Sequence, residues 1–302
     1  MLEATTKTAD RPGRLDWCCV GAQKAGTSTL YRLLRDHPQI VIPSSKEDPI
    51  FDADVSVEQV QRYLDDRFGG VGDAHCGTVT PQYLSAPETA ARMHGFVPNA
   101  RIVVLLRDPV TRAFSHHQMS TLRGLESRSF DVAVADQLSI LDTGRPIDLN
   151  SEIDSYVVRG NYAWLLADWF KLFGADNIHA VFSDDLDNAT IATVERVQRF
   201  LGVDPLVPDD AGFRFNANPP PHRLSGWRKP VARALRRVGW DRTNPERKER
   251  LTSRIERTLA KTLPAPQRDI SPATVRALRN YYAPGYAPLV ELIGVEPPWS
   301  AA

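Results

Sequence analysis

The run Arg101-Ile102-Val103-Val104-Leu105-Leu106, closed by Arg107-Asp108-Pro109, limits the possible folds more than any other stretch of this chain. Its apolar side chains follow one another without alternation, so they need cover on both faces, as in a strand inside a parallel sheet. Parallel neighbours require crossover connections, usually helical. Pro109 suits the first position of such a helix, because its φ is preset and its missing N–H has no intrahelical acceptor to lose. Other stretches repeat the pattern. Leu15 to Val20 reads as a short buried strand running into Gly21, and Thr27 to Asp36 carries Leu30, Leu33 and Leu34 at helical spacing, with Thr27 as its expected cap. An extended piece is expected over Gln39 to Ile42. The segment Tyr162 to Phe173 reads as an aromatic-rich helix stopped by Gly174, Ile178 to Phe182 as a strand, and Thr190 to Leu201 as a helix ending at Gly202. Alternation on this scale predicts an α/β fold with a mostly parallel sheet flanked by helices.

Charge and composition narrow the function classes. Lys+Arg and Asp+Glu both number 37, which argues against a globally basic nucleic-acid binder. The balance is uneven along the chain. From Arg223 to Lys261 there are thirteen Lys/Arg and four Asp/Glu, a local net of 13 − 4 = +9, so the remainder totals −9. This basic arm reads as a solvated surface, an oligomer contact, or a collar around an anionic ligand; the oligomeric state is left open. No organised set of stacking or base-reading groups accompanies it, so no nucleic-acid partner is expected. Three cysteines cannot build a disulfide scaffold, and no apolar run approaches the roughly 18–20 residues that span a bilayer. With a polar start from Met1 to Arg14, a cytoplasmic protein without a membrane partner is expected.

The chemistry concentrates between the first strand and its helix. Gly21-Ala22-Gln23-Lys24-Ala25-Gly26-Thr27-Ser28-Thr29 places small residues, a lysine and a hydroxyl run at a helix N-terminus. Backbone N–H groups and the helix dipole make such a loop fit for a phosphate or sulfate. The Gly21–Gly26 separation is that of a Walker A loop, but that loop needs lysine directly after the second glycine, where Thr27 stands. With Lys24 inside the loop, the anion is expected to be neutralised without a metal. A glycine turn opening an ordinary helix is the plain alternative.

The loop resembles that of the PAPS-dependent sulfotransferases, GxxKxGTxxL, through Gly21, Lys24, Gly26, Thr27 and Leu30. Their second signature, a strand, an arginine and a helix carrying a serine, is matched by Arg101 to His116. Weaker matches to the carbohydrate (heparan-type) branch are Lys46-Glu47 to Phe51, Thr80-Pro81-Gln82-Tyr83-Leu84, Arg159-Gly160-Asn161-Tyr162, Val181 to Leu186, and the tail Tyr281 to Gly294. The resemblance implies a P-loop NTPase-like central parallel sheet. It also implies a single sulfotransferase domain over 1–302: a PAPS-binding core at 15–203, a Pro-rich loop and basic arm at 204–272, and closing helices at 273–302.

It further implies sulfuryl transfer from PAPS, released as PAP, to a hydroxyl on a sugar or glycosylated small metabolite by a soluble bacterial-type enzyme. Gly21, Gln23, Lys24, Ala25, Gly26, Thr27, Ser28 and Thr29 would hold the 5′-phosphosulfate, with Lys24 also catalytic. Arg107 and Ser115 would clamp the 3′-phosphate, with Gly160, Tyr162 and Arg223 as further nucleotide contacts, and Glu47 would be the general base. His75, His116 and His117 are other candidate bases, with packing the plainer role for His116. A solvated surface acid is the plainer role for Glu47, and a core stripe the plainer role for Tyr162, Trp164, Trp169 and Phe170. A P-loop kinase and a non-catalytic nucleotide-binding protein are the competing functions.

Overall fold

A computed structural model describes residues 12–86, 88–207 and 269–300; Arg223 and the basic arm at 223–261 lie outside the described residues. The chain divides into two compact units. The first comprises Met1–Arg112, Arg159–Asn216 and Asn280–Ala302, and the second Ala113–Val158 and Ala217–Arg279.

The first unit is built on a parallel sheet of five strands: β1 (Trp17–Gly21), β2 (Ile40–Val41), β3 (His75–Val79), β4 (Arg101–Leu106) and β5 (Ile178–Phe182), in the order β2-β3-β1-β4-β5. The α/β expectation holds. Every residue of β1 and all of β4 beyond Arg101 are buried, as covering helices on both faces require. The register sets Trp17 opposite Gly77 on one side and Arg101 on the other, and β4 pairs with β5 from Ile102↔Ile178 to Leu106↔Phe182. After β1 the chain moves out to the edge at β2, returns through β3, then crosses to β4. Connections thus diverge to opposite sides at the C-terminal end of β1, where doubly wound sheets open a ligand crevice.

The helices follow from their apolar faces. Helix α1 (Thr27–Leu34) buries Leu30, Leu33 and Leu34. Its cap is Gly26, in the left-handed region at φ 101, rather than Thr27, which is the buried first helical residue. The helix stops at Leu34, two residues short of the expected end. Helix α2 (Val57–Phe68) carries a full capping box from Ser56 and Gln59 and buries Val60, Leu64 and Phe68, one face at four-residue spacing. Helix α3 is Thr89–Phe96, and α4 (Pro109–Leu122) starts at the expected proline. Helix α5 is Phe130–Asp142 and α6 Tyr162–Phe173. Then come α7 (Ser183–Asn188), α8 (Thr190–Leu201), α9 (Pro272–Tyr282) and α10 (Tyr286–Ile293). The bounds of α6, β5 and α8 are those read from the sequence. Strand β2 is shorter, because only Ile40 and Val41 find partners, at His75 and Cys76.

In the second unit Phe130 packs edge-on against Phe114, with ring centroids 5.1 Å apart, and Tyr156 packs against His116 at 4.9 Å. Buried Glu126 receives the Ser127 and Arg128 N–H groups, each at 2.9 Å, and pairs with the Arg128 guanidinium at 2.8 Å. Arg128 also reaches Asp136 and Asp154, and the hydroxyls of Ser271 and Thr274 donate to Asp131. Among the described residues no helix is long and apolar enough to cross a membrane.

Candidate active site

The loop from Gly21 to Gly26 emerges where β1 ends. Gly21 allows the turn Tyr83–Ser85 to pack directly on the strand end, since a Cβ there would lie 2.6 Å from the Leu84 Cβ. At the other end of the loop Gly26 turns the chain into α1 through its positive φ. Lys24 is one of two non-glycine residues with positive φ among those described, at 75°. Such a conformation costs a lysine about 1 kcal/mol and turns successive amides toward one side, the geometry of an anion-binding nest. The N–H groups of Thr27 and Ser28, in the first turn of α1, have no intrahelical acceptor.

Distant segments fix this shape. Ala22 N donates to the Leu105 carbonyl at 2.7 Å, and Ala25 N to the Ala22 carbonyl at 3.1 Å. The Ser183 hydroxyl lies 2.7 Å from the Ala25 carbonyl oxygen and 3.2 Å from that of Leu106, tying the loop to the ends of β4 and β5. Arg159 Nη1 donates to Gln23 Oε1 at 2.8 Å. Arg107, directly after β4, donates from Nη1 to the Lys24 carbonyl at 3.3 Å and from Nε to Thr111 Oγ1 at 3.0 Å. Lys24 and Arg107 therefore meet at one end of the sheet. A guanidinium held against the loop backbone, beside helical amides that have no intrahelical acceptor, fits an anionic group. The Asp184 carboxyl, at the start of α7, is pushed up by burial and by the neighbouring Asp108.

Tyr162 reaches this site through Arg107. Its ring is 3% exposed, and its hydroxyl donates to the Arg107 carbonyl at 2.8 Å. Burial pushes the phenol up to about 12, so the hydroxyl stays a donor. Gly160 lies beneath Tyr282, where a Cβ would come 2.7 Å from the tyrosine hydroxyl oxygen. Of the aromatic stripe, Tyr162 and Trp169 are core residues, whereas Trp164 is 55% exposed. Ser115 stands half-buried on α4, in the part belonging to the second unit. Arg223 lies outside the described residues.

Glu47 occupies an irregular segment that the Tyr83 hydroxyl anchors. That oxygen accepts from Ile50 N at 2.8 Å and Phe51 N at 3.2 Å, and donates to the Asp48 carbonyl at 3.0 Å. Phe51 is fully buried against the Tyr83 and Phe96 rings, each at 6.0 Å, and Asp48 pairs with Arg67 at 2.8 Å. Glu47 itself is exposed. Its Oε1 faces Lys46 Nζ at 2.9 Å, and its Oε2 accepts from Gln82 Nε2 at 2.9 Å. Lys46 extends over β1, where its ammonium pulls down the Cys19 thiol that burial pushes up to about 12. The two sequence elements Lys46–Phe51 and Thr80–Leu84 thus form one structure beside Gly21.

The histidines stand differently. His75 opens β3, so it lies about 13 Å (four steps of about 3.3 Å) from the strand's C-terminal end and is no base for this site. His116 and His117 are buried against Tyr156, His117 also against Phe130, consistent with packing. Gln82, Tyr83, Arg159 and Ser183 all stand inside the matched motifs, which assign none of them a role. Nothing local reveals that the partners of Tyr83 are more than thirty residues away.

The sulfotransferase domain family matches residues 15–212, and the chain belongs to that family. Among curated proteins it is 30% identical over 218 residues to mouse heparan sulfate glucosamine 3-O-sulfotransferase 6, covering 69% of this chain and 59% of that protein. It is 27% identical over 198 residues to mouse bifunctional heparan sulfate N-deacetylase/N-sulfotransferase 4, covering 62% of this chain and 22% of that protein. The chain therefore spans about three fifths of the first of these relatives and about a fifth of the second. The crystal structure of a sulfotransferase from Alicyclobacillus acidocaldarius shares the fold, with a TM-score of 0.66 and 22% identity over 96% of this chain and 99% of that one.

Proposed function

We propose that this protein transfers the sulfuryl group of PAPS to a hydroxyl of a sugar or glycosylated small metabolite. The observation that carries the reading is the hydrogen bond from the Arg107 guanidinium to the backbone carbonyl of Lys24, at 3.3 Å, which joins the end of β4 to the loop that opens α1. In this reading Gly21, Gln23, Ala25 and Gly26 shape the cradle. The amides and hydroxyls of Thr27, Ser28 and Thr29 hold the 5′-phosphate. Lys24 meets the negative charge that develops on the bridging oxygen as its bond to sulfur breaks, which is where a fixed cation lowers the barrier most. Arg107 and Ser115 bind the 3′-phosphate, Gly160 and Tyr162 support that side of the nucleotide, and Arg223 is a further 3′-phosphate contact.

Glu47 is the base. As the acceptor oxygen forms its bond to sulfur, the hydroxyl proton passes to the Glu47 carboxylate, and PAP leaves with the electron pair of the broken bond. The heparan sulfate transferases among the relatives support a carbohydrate acceptor. The reading is tested by calorimetric titration with PAP and with ATP–Mg²⁺, followed by transfer of labelled sulfate from PAPS to a panel of sugars. Binding of PAP and labelling of a saccharide are expected. Binding of ATP–Mg²⁺ in preference to PAP would replace this reading with a kinase.

A further inference from the structure

We infer that Gln82 is the positioning residue of Glu47, holding its carboxylate in one orientation and in its ionised form for proton transfer. The inference rests on the proposed role of Glu47 and adds a residue to it. Glu47 lies on an exposed, irregular segment, where a glutamate side chain otherwise samples many rotamers. Among the groups that restrict it are Lys46 Nζ on Oε1 and Gln82 Nε2 on Oε2, each at 2.9 Å. Lys46 precedes Glu47 directly and moves with the same segment. Gln82 does not, because it precedes the turn Tyr83–Ser85, whose Leu84 packs against Gly21. Its amide therefore refers the carboxylate to the frame that carries the phosphate loop.

The orientation of that amide supports the assignment. Gln82 Oε1 is buried and has no hydrogen-bond partner among the described residues. A glutamine kept for structure alone would satisfy its buried carbonyl, since an unpaired buried acceptor is destabilising. Rotating the amide would set its oxygen against the Glu47 carboxylate, so the partner, not the buried end, fixes the orientation. Donation to the charged form of an acid favours that form. Charged and titratable groups near the carboxylate among the described residues include Lys46, Asp48 (paired with Arg67 at 2.8 Å) and the Tyr83 phenol, which burial keeps protonated.

The test uses the full chain saturated with PAP. The Glu47 carboxyl carbon is followed by NMR against pH, with Glu47→Gln assigning the signal. In Gln82→Leu, which removes the donor and the unpaired acceptor together, the titration midpoint should rise by about half to one unit with the thermal midpoint nearly unchanged. Gln82→Glu, which sets a like charge there, should raise it further. A midpoint unmoved in both variants overturns the inference, as does a rise accompanied by the same loss of stability in every Gln82 variant. Labelled-sulfate transfer to an N-sulfated heparan-type oligosaccharide separates the two ideas. Wild-type turnover in Glu47→Gln would remove the base and, with it, the catalytic meaning of Gln82. Loss in Glu47→Gln alone, with Gln82→Leu at wild-type turnover, would remove only Gln82.

Discussion

Replacing Tyr83 by phenylalanine deletes one oxygen and keeps the ring, so its effect isolates the hydrogen bonds that hold the Glu47 segment. That oxygen serves the N–H groups of Ile50 and Phe51 and the carbonyl of Asp48 at 2.8, 3.2 and 3.0 Å. Phe51 and Tyr83 are buried and Ile50 is half-buried, so water replaces these bonds incompletely. Each buried group left unpaired costs about 1–3 kcal/mol, and the exposed side of the segment can recover part of it. A total of about 3 kcal/mol is expected, which lowers Tm by about 5 °C in a chain of this size. Urea unfolding should show a lower midpoint with an unchanged slope, because the surface exposed on unfolding is the same. PAP affinity should change little, whereas turnover should fall about tenfold or more as Glu47 loses its fixed position. A stability loss below about 0.5 kcal/mol, the size of an ordinary surface change, would refute this account of the anchor.

Other substitutions probe the remaining parts. Lys24→Ala should cut turnover by about 10²–10³-fold, with a smaller loss of PAP affinity, measured by labelled-sulfate transfer and calorimetry. Arg107→Ala should weaken PAP binding at least tenfold, and lysine should not restore it, because a single ammonium cannot serve Thr111, the Lys24 carbonyl and a phosphate together. In the second unit burial pushes the Glu126 carboxyl up, but the hydrogen bonds from Arg128 outweigh it and leave it below its ordinary 4.5. The stability this contributes is fully present above that value and is lost as pH falls through the folded pKa; in acid-unfolding curves Glu126→Gln should flatten that limb. His179 is also held down, first by burial and then by Arg196, from an ordinary 6.5. Its contribution is present above that value and declines as pH falls below it, a slope that His179→Gln should remove.

The sheet was legible wherever a local pattern carried it. The buried run of β4, the helix α6 with its glycine stop, β5, and α8 ending at Gly202 all declare themselves within a few residues of their own sequence. The capping box of α2, Ser56 to Gln59, is equally local. Of the site, the loop glycines and Lys24 could be marked by spacing and residue type, and Arg107 and Glu47 by resemblance. What joins them could not, because each contact links residues far apart: Arg107 to Lys24, Arg159 to Gln23, Ser183 to Ala25, Tyr83 to Phe51. The cap of α1 moved from Thr27 to Gly26 for a related reason, since the geometry the loop demands overrides a threonine's local preference.

The ties that shape the phosphate loop also set when it can exist. Residues 21–26 are made before their partners, Leu105, Arg107, Arg159 and Ser183. At a synthesis rate of about 5–20 residues per second, the last of these follows the loop by roughly 8–30 s. The Lys24 carbonyl gains the Arg107 donor only after β4 has been made, and the Ala25 carbonyl gains the Ser183 donor only after β5; the central strand has waited for β3 and β4 as well. A nascent chain arrested before Ser183 has the residues of the loop without its full shape. The shape of the loop is thus completed in stages, the last of them at Ser183.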